Sequence, residues 1–137
     1  MKLHKFWAAV GTALAVLAPA LAFVAAPSAQ AQTYSVLYSF RGWHGKEPVA
    51  GLIQDKKGNL YGTTRDGGAY GYGVVFKLDN TGAETVLYSF TGGADGKFPL
   101  AGLVRDSAGN LYGTTEWGGT YRPYYRGDGV VFKITLQ

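Results

Sequence analysis

The chain has 137 residues and no cysteine, with 13 lysines and arginines against 9 aspartates and glutamates. The missing cysteine excludes disulfides, thiol catalysis, cysteine-ligated metal sites and a lipid-modified N-terminal cysteine. The 21 glycines and 10 tyrosines in a charge-poor chain suit short strands and tight turns, and exclude a helical bundle or coiled coil.

The first segment reads as a leader. Lys2 and Lys5 precede an apolar stretch from Phe6 to Ala26, and Ala29-Gln30-Ala31 follows as a small-x-small cleavage motif. The expectation is a signal peptide over residues 1–31, cleaved after Ala31, which makes the mature protein secreted or periplasmic. An uncleaved leader would be long enough for a membrane anchor, since roughly 20 residues suffice. Pro19 and the Ala-Gln-Ala end favour removal. Residues 32–137 then form one β-repeat domain, whose 11 cationic and 9 acidic residues leave a net charge of +2.

An internal repeat dominates this domain. Leu37-Tyr38-Ser39-Phe40 returns as Leu87-Tyr88-Ser89-Phe90, and Ala50-Gly51-Leu52-Ile53 as Ala101-Gly102-Leu103-Val104. Gly58-Asn59-Leu60-Tyr61-Gly62-Thr63-Thr64 returns unchanged at an offset of 51, as Gly109 to Thr115. Gly73-Val74-Val75-Phe76-Lys77 returns at 56, because the second copy carries five extra residues between Thr120 and Asp128. Repeat 1 covers about 34–83 and repeat 2 about 84–137. A period of this length marks one supersecondary unit that stacks on its neighbours.

In chain order, a strand is expected over Tyr34–Phe40 and a short apolar one over Val49–Gln54, ended by the turn Asp55 to Asn59. Leu60–Thr64 follows, then a Gly67-Gly68 break. Val74–Leu78 alternates, with Val74, Phe76 and Leu78 on one face and Val75 and Lys77 on the other. After the turn Asp79 to Gly82, Glu84–Phe90 closes the first unit with β-branched and aromatic residues. The second copy ends at Leu136 without such a closing strand. The expected fold is all-β, with two tandem four-stranded antiparallel units resembling propeller blades. The alternative is a small β-sandwich or barrel with pseudo-two-fold symmetry. A propeller ring needs roughly 4–8 blades. Two units therefore imply a homo-oligomer that completes a ring, or a remnant of a longer array.

The succession Leu-Tyr-Ser-Phe, Asp95-Gly96-x-x-Pro99-x-x-Gly102-Leu103, Gly-Asn-Leu-Tyr-Gly-Thr-Thr, Gly-Gly and Gly-x-Val-Phe-Lys resembles the GloVer-type extracellular tandem repeat from Tyr34 to Leu136. The resemblance implies an exported, propeller-like repeat protein with no assigned reaction. The chain departs from the family's pattern in having two repeats, no C-terminal anchor, and His44 where the second copy has Asp95.

Several residues are candidates for chemistry. Asp55 and Asp106 each open a turn ending in Gly-Asn, where an aspartate accepts backbone N–H bonds, so they are read as structural. Asp66 and Glu116 are read as recurring at matching positions before the Gly-Gly breaks, where loops of a β scaffold gather binding residues. As a pair they are the candidate catalytic carboxylates of a polysaccharide-acting enzyme. His44, the lone histidine after the leader, has no partners for a triad or a metal site, and no metal or cofactor is expected. The insertion carries Tyr121, Arg122, Tyr124, Tyr125 and Arg126, which with Trp117 and Trp43 are candidates for stacking on sugar rings. Nucleic acid is not an expected partner, because a net +2 supplies little counterion release. The resulting function is a non-catalytic exported module that binds a glycan or another envelope component, or supports structure there. The alternatives are the carboxylate enzyme and the truncated remnant.

Overall fold

Turn chemistry sets the strand boundaries. A computed structural model describes residues 31–121 and 126–136. The expected leader lies outside them except for Ala31, as do the candidates Arg122, Tyr124 and Tyr125. Strand β1 (Ile53–Gln54) turns into β2 (Leu60–Thr64) around Asp55. One carboxylate oxygen of Asp55 accepts the backbone amides of Lys57 and Asn59, both at 2.9 Å. The other accepts the Asn59 side-chain amide at 2.8 Å and the Tyr61 hydroxyl at 3.1 Å. Strand β2 pairs with β3 (Val74–Leu78), and β3 with β4 (Glu84–Ser89) through a second turn built on Asp79. The first sheet is thus a four-stranded antiparallel meander in the order β1-β2-β3-β4.

The second copy repeats the plan with β5 (Val104–Arg105), β6 (Leu111–Thr114) and β7 (Val131–Ile134), a three-stranded antiparallel sheet. Its first turn is rebuilt on Asp106, which accepts the Asn110 amide at 2.8 Å, its side-chain amide at 2.7 Å and the Tyr112 hydroxyl at 2.9 Å. Among the described residues the chain has seven strands in two sheets, and these do not close into a barrel.

Alternation along β3 sends neighbouring side chains to opposite sides of the first sheet. Val75 joins Tyr61 and Phe90 in a cluster completed by Leu103 and Leu111 of the second repeat, with Leu87 and Phe132 packed against it. This is the seam between the repeats. Val74, Phe76 and Leu78 point the other way, where Tyr38, Phe40, Leu60 and Val86 meet them. Each fully buried aliphatic or aromatic side chain contributes about 1.5–3 kcal/mol relative to exposure.

One expected strand is missing. Tyr34–Phe40 joins neither sheet, because the partner it would pair with, the third strand of a preceding unit, does not lie within the described residues. Its packing is nonetheless repeated. Tyr38 meets Phe40 edge-on at 5.0 Å and Phe40 meets Phe76 at 4.9 Å. The matching contacts Tyr88–Phe90 and Phe90–Phe132 are 5.2 and 5.1 Å.

The turn aspartates make acid stability predictable. Hydrogen bonds from the Asn59 and Asn110 side chains are the largest cause holding the Asp55 and Asp106 carboxyls down at about 2, below their ordinary 3.8. A depressed folded-state pKa stabilises the fold fully above the unfolded value and is lost as pH falls through the folded one. The urea midpoint should therefore drop between about pH 4 and pH 2. The double variant Asp55→Asn, Asp106→Asn should start lower at neutral pH and fall less over that window. An equal acid-induced drop in both proteins would refute the assignment.

Candidate functional site

Each repeat ends in loops held by the same backbone bonds. Lys46 exchanges both main-chain bonds with Asp66, at 2.8 and 3.0 Å, and Lys97 does so with Trp117, at 2.8 and 3.2 Å. Gly42 and Gly93 offer their carbonyls to Gly68 and Gly119 in the same way. On this scaffold cations and rings interleave. The Arg65 guanidinium stands 5.3 Å from the centre of the Phe98 ring, and Lys97 Nζ lies 5.5 to 5.9 Å over Tyr72, Phe98 and Trp117. Arg126 covers Trp117 at 4.5 Å, and Phe98 meets Trp117 edge-on at 5.6 Å. Such contacts contribute about 0.5–1 kcal/mol each when exposed.

Arg65 also binds Glu47 at 3.1 Å and Asp66 at 3.2 Å. Its hydrogen bond holds the Glu47 carboxyl below the usual range. Burial pushes Asp66 up, with the Arg65 charge opposing it. Tyr121 and Trp43 are both exposed, the latter on a single turn of 3-10 helix, Gly42–His44. His44 Nδ1 is 2.6 Å from Glu84 Oε2, a carboxylate whose side chain is almost wholly buried. The matching position, Asp95, is fastened to its own loop by Thr91 and Tyr88.

At the other end of the sheets the two Asp-built turns flank a cleft of about 750 Å3. Among the described residues its charged lining is Lys56, Lys57, Lys77 and Arg105 against the single carboxylate of Asp55. Leu87, Ile134 and Leu136 form its apolar floor. The Arg105 guanidinium lies close over Gly109, where a Cβ would come within 2.9 Å of Nη2. Its charge also acts on the Tyr61 hydroxyl, opposing the upward push of burial and of Asp55. With four cations and one carboxylate, the described lining residues carry a local charge of +3. That carboxylate is already engaged by its turn.

The Gloeobacter/Verrucomicrobia repeat model matches residues 22–137, most of the chain. The chain belongs to this family. No curated protein matches it. Membership in the Gloeobacter/Verrucomicrobia repeat family agrees with the motif succession from Tyr34 onward, and with a sheet plan that recurs at the same offsets. The repeat also corrects one pairing of candidates. The bonded pairs Lys46–Asp66 and Lys97–Trp117 occupy the same place, so Trp117 is the counterpart of Asp66, and Arg65 that of Glu116. Asp66 and Glu116 are therefore not one position carried twice. Both do act on Arg65, Glu116 through its charge.

In this Gloeobacter/Verrucomicrobia repeat protein the structure brings together Trp117 and Arg126, and leaves Trp43 without a ring or cation contact to them among the described residues. The cleft was not foreseen. Lys56-Lys57 inside the first turn was a visible signal, but Lys77 and Arg105 come from strands distant in sequence and reveal themselves only when the sheets stack. Among the described residues no three His, Asp or Glu side chains gather as metal ligands, and no helix is long and apolar enough to cross a membrane.

Proposed function

We propose that this chain is an exported, non-catalytic β-repeat module that holds an acidic polysaccharide of the cell envelope in the cleft between its repeats. The observation that carries this reading is the charge of the cleft. Lys56, Lys57, Lys77 and Arg105 gather there with a local excess larger than the +2 of residues 32–137 as a whole. A cleft of one sign with low-dielectric walls focuses its field and raises the local concentration of an opposite polymer. Its one tyrosine, Tyr61, is buried, so the site lacks the open ring platforms on which nucleic-acid bases stack. The leader-like start supports delivery outside the cytoplasm, where uronate-bearing polymers are found. Asp66 is ion-paired with Arg65 at 3.2 Å and is not the repeat counterpart of Glu116, which supports a binding role over a hydrolytic one.

The test is calorimetric titration with a polyuronate, using neutral dextran as control. Binding should weaken as salt rises, and Lys57→Glu with Arg105→Glu should weaken it by about tenfold or more, because each reversal replaces attraction with repulsion. Equal affinity for wild type and variant, or equal binding of dextran, would refute the reading.

A further inference from the structure

Matched positions of the two repeats differ in what lies beside them. Val75 and Val131 hold the same register, opposite Thr63 and Thr114, yet Val75 is 0% exposed and Val131 79%. Leu103 is 4% exposed and its counterpart Leu52 is 52% exposed. The buried member of each pair lies in the seam between the repeats, and the exposed member lies on an outer face. The seam joins two unlike faces. One outer face therefore repeats its Val75 side, and the other repeats its Leu103 side.

The strands lead to the same pairing. Among the described residues strand β7 pairs with β6 alone, whereas its counterpart β3 also pairs with β4. An unpaired edge of this kind is a template for another strand. At the opposite end of the domain, Leu37-Tyr38-Ser39-Phe40 carries the same four residues as Leu87 to Phe90, and keeps their ring geometry against the sheet it covers. It joins no sheet. Among the described residues the sheet of the second repeat has no fourth strand, and the first repeat is preceded by a closing-strand segment that joins no sheet.

We propose that a second copy of this chain occupies these faces head to tail. Its β7 edge takes Leu37–Phe40 of the first copy as a fourth strand, and its Val104 and Val131 cover Leu52. The same packing already exists between the two repeats, so the contact requires no new surface. A contact between unlike faces closes into a ring when the rotation allows it. A ring of 4–8 four-stranded blades would take roughly two to four chains.

The experiment is light scattering on the full chain, purified from an exporting host, with circular dichroism on every sample. Wild type should be a discrete species of more than one chain. Val131→Asp and Leu52→Asp should each be monomeric with an unchanged β spectrum. Mixed together, they should form a dimer, since each variant retains the face that the other has lost. Val104→Asp replaces Val131→Asp if the latter loses its β signal. A folded monomeric wild type, variants that still self-associate, or a mixture that stays monomeric would overturn the proposal.

Discussion

Val75→Asp is expected to remove most of the fold's stability, while Val131→Asp retains the β spectrum and nearly all of it. The two valines share a strand position and a cross-strand neighbour type, so strand propensity does not separate them. Val75 is enclosed by Tyr61, Phe90, Leu103 and Leu111. A carboxylate placed there has no cation to pair with in the cluster, and an uncompensated buried charge costs about 3–5 kcal/mol. The valine's lost apolar burial adds about 2 kcal/mol. A domain of this size has a total stability on the order of 5–10 kcal/mol, so most of it disappears. At Val131 the new carboxylate stays in water and costs the monomer little. Far-UV circular dichroism with a urea titration reads both variants. Similar midpoints for the two would mean that the seam is not where the stability resides.

The comparison also marks what the sequence could and could not reveal. Strands over Leu60–Thr64 and Val74–Leu78 were legible to the residue, because turn formers bracket them and, in the second, Val74, Phe76 and Leu78 alternate with Val75 and Lys77. The opposite facing of Val75 and Phe76 was legible for the same reason. The expected Val49–Gln54 strand shrinks to Ile53–Gln54: only these two residues pair, with Tyr61 and Leu60, although β2 runs on to Thr64. Tyr34–Phe40 shows the same limit more sharply. Its residues match those of β4, but a strand exists only where a neighbour accepts its hydrogen bonds.

The candidate site divides along similar lines. The structural role of Asp55 and Asp106 was legible because their hydrogen bonds stay within six residues of chain. The matching of Asp66 with Glu116 failed because it followed charge instead of the backbone offset. The loop keeps its main-chain bonds at Asp66 and Trp117 while the side chains differ, so charge alone gave the wrong register. The stacking role expected of Trp117 meets an internal cover of Arg126 and Lys97, set by chain segments that no local motif connects.

The second large effect is expected at Gly73. Its φ of +96° lies in the left-handed region, where a Cβ costs on the order of 1 kcal/mol. Space is the larger difficulty. A Cβ there would run into the Thr64 carbonyl oxygen, and would stand 2.5 Å from that of Arg65 and 2.7 Å from Cδ of Pro99. None of these is the free end of a flexible side chain, and Pro99 is itself fully buried. Gly73 also carries two backbone bonds, donating to Gly67 at 2.9 Å and accepting from Phe90 at 3.0 Å, so the main chain has little room to retreat. Gly73→Ala should destabilise the fold by about 2–4 kcal/mol, in the range of overpacking combined with backbone strain. Gly71 is the internal control. Its φ is +82° but nothing stands within 4 Å of a Cβ, so Gly71→Ala should cost only about 1 kcal/mol. Urea midpoints of the two variants separate crowding from conformation. If both alanines cost the same, the close approach of Thr64, Arg65 and Pro99 carries no energy, and the β2–β3 loop is looser than its geometry implies.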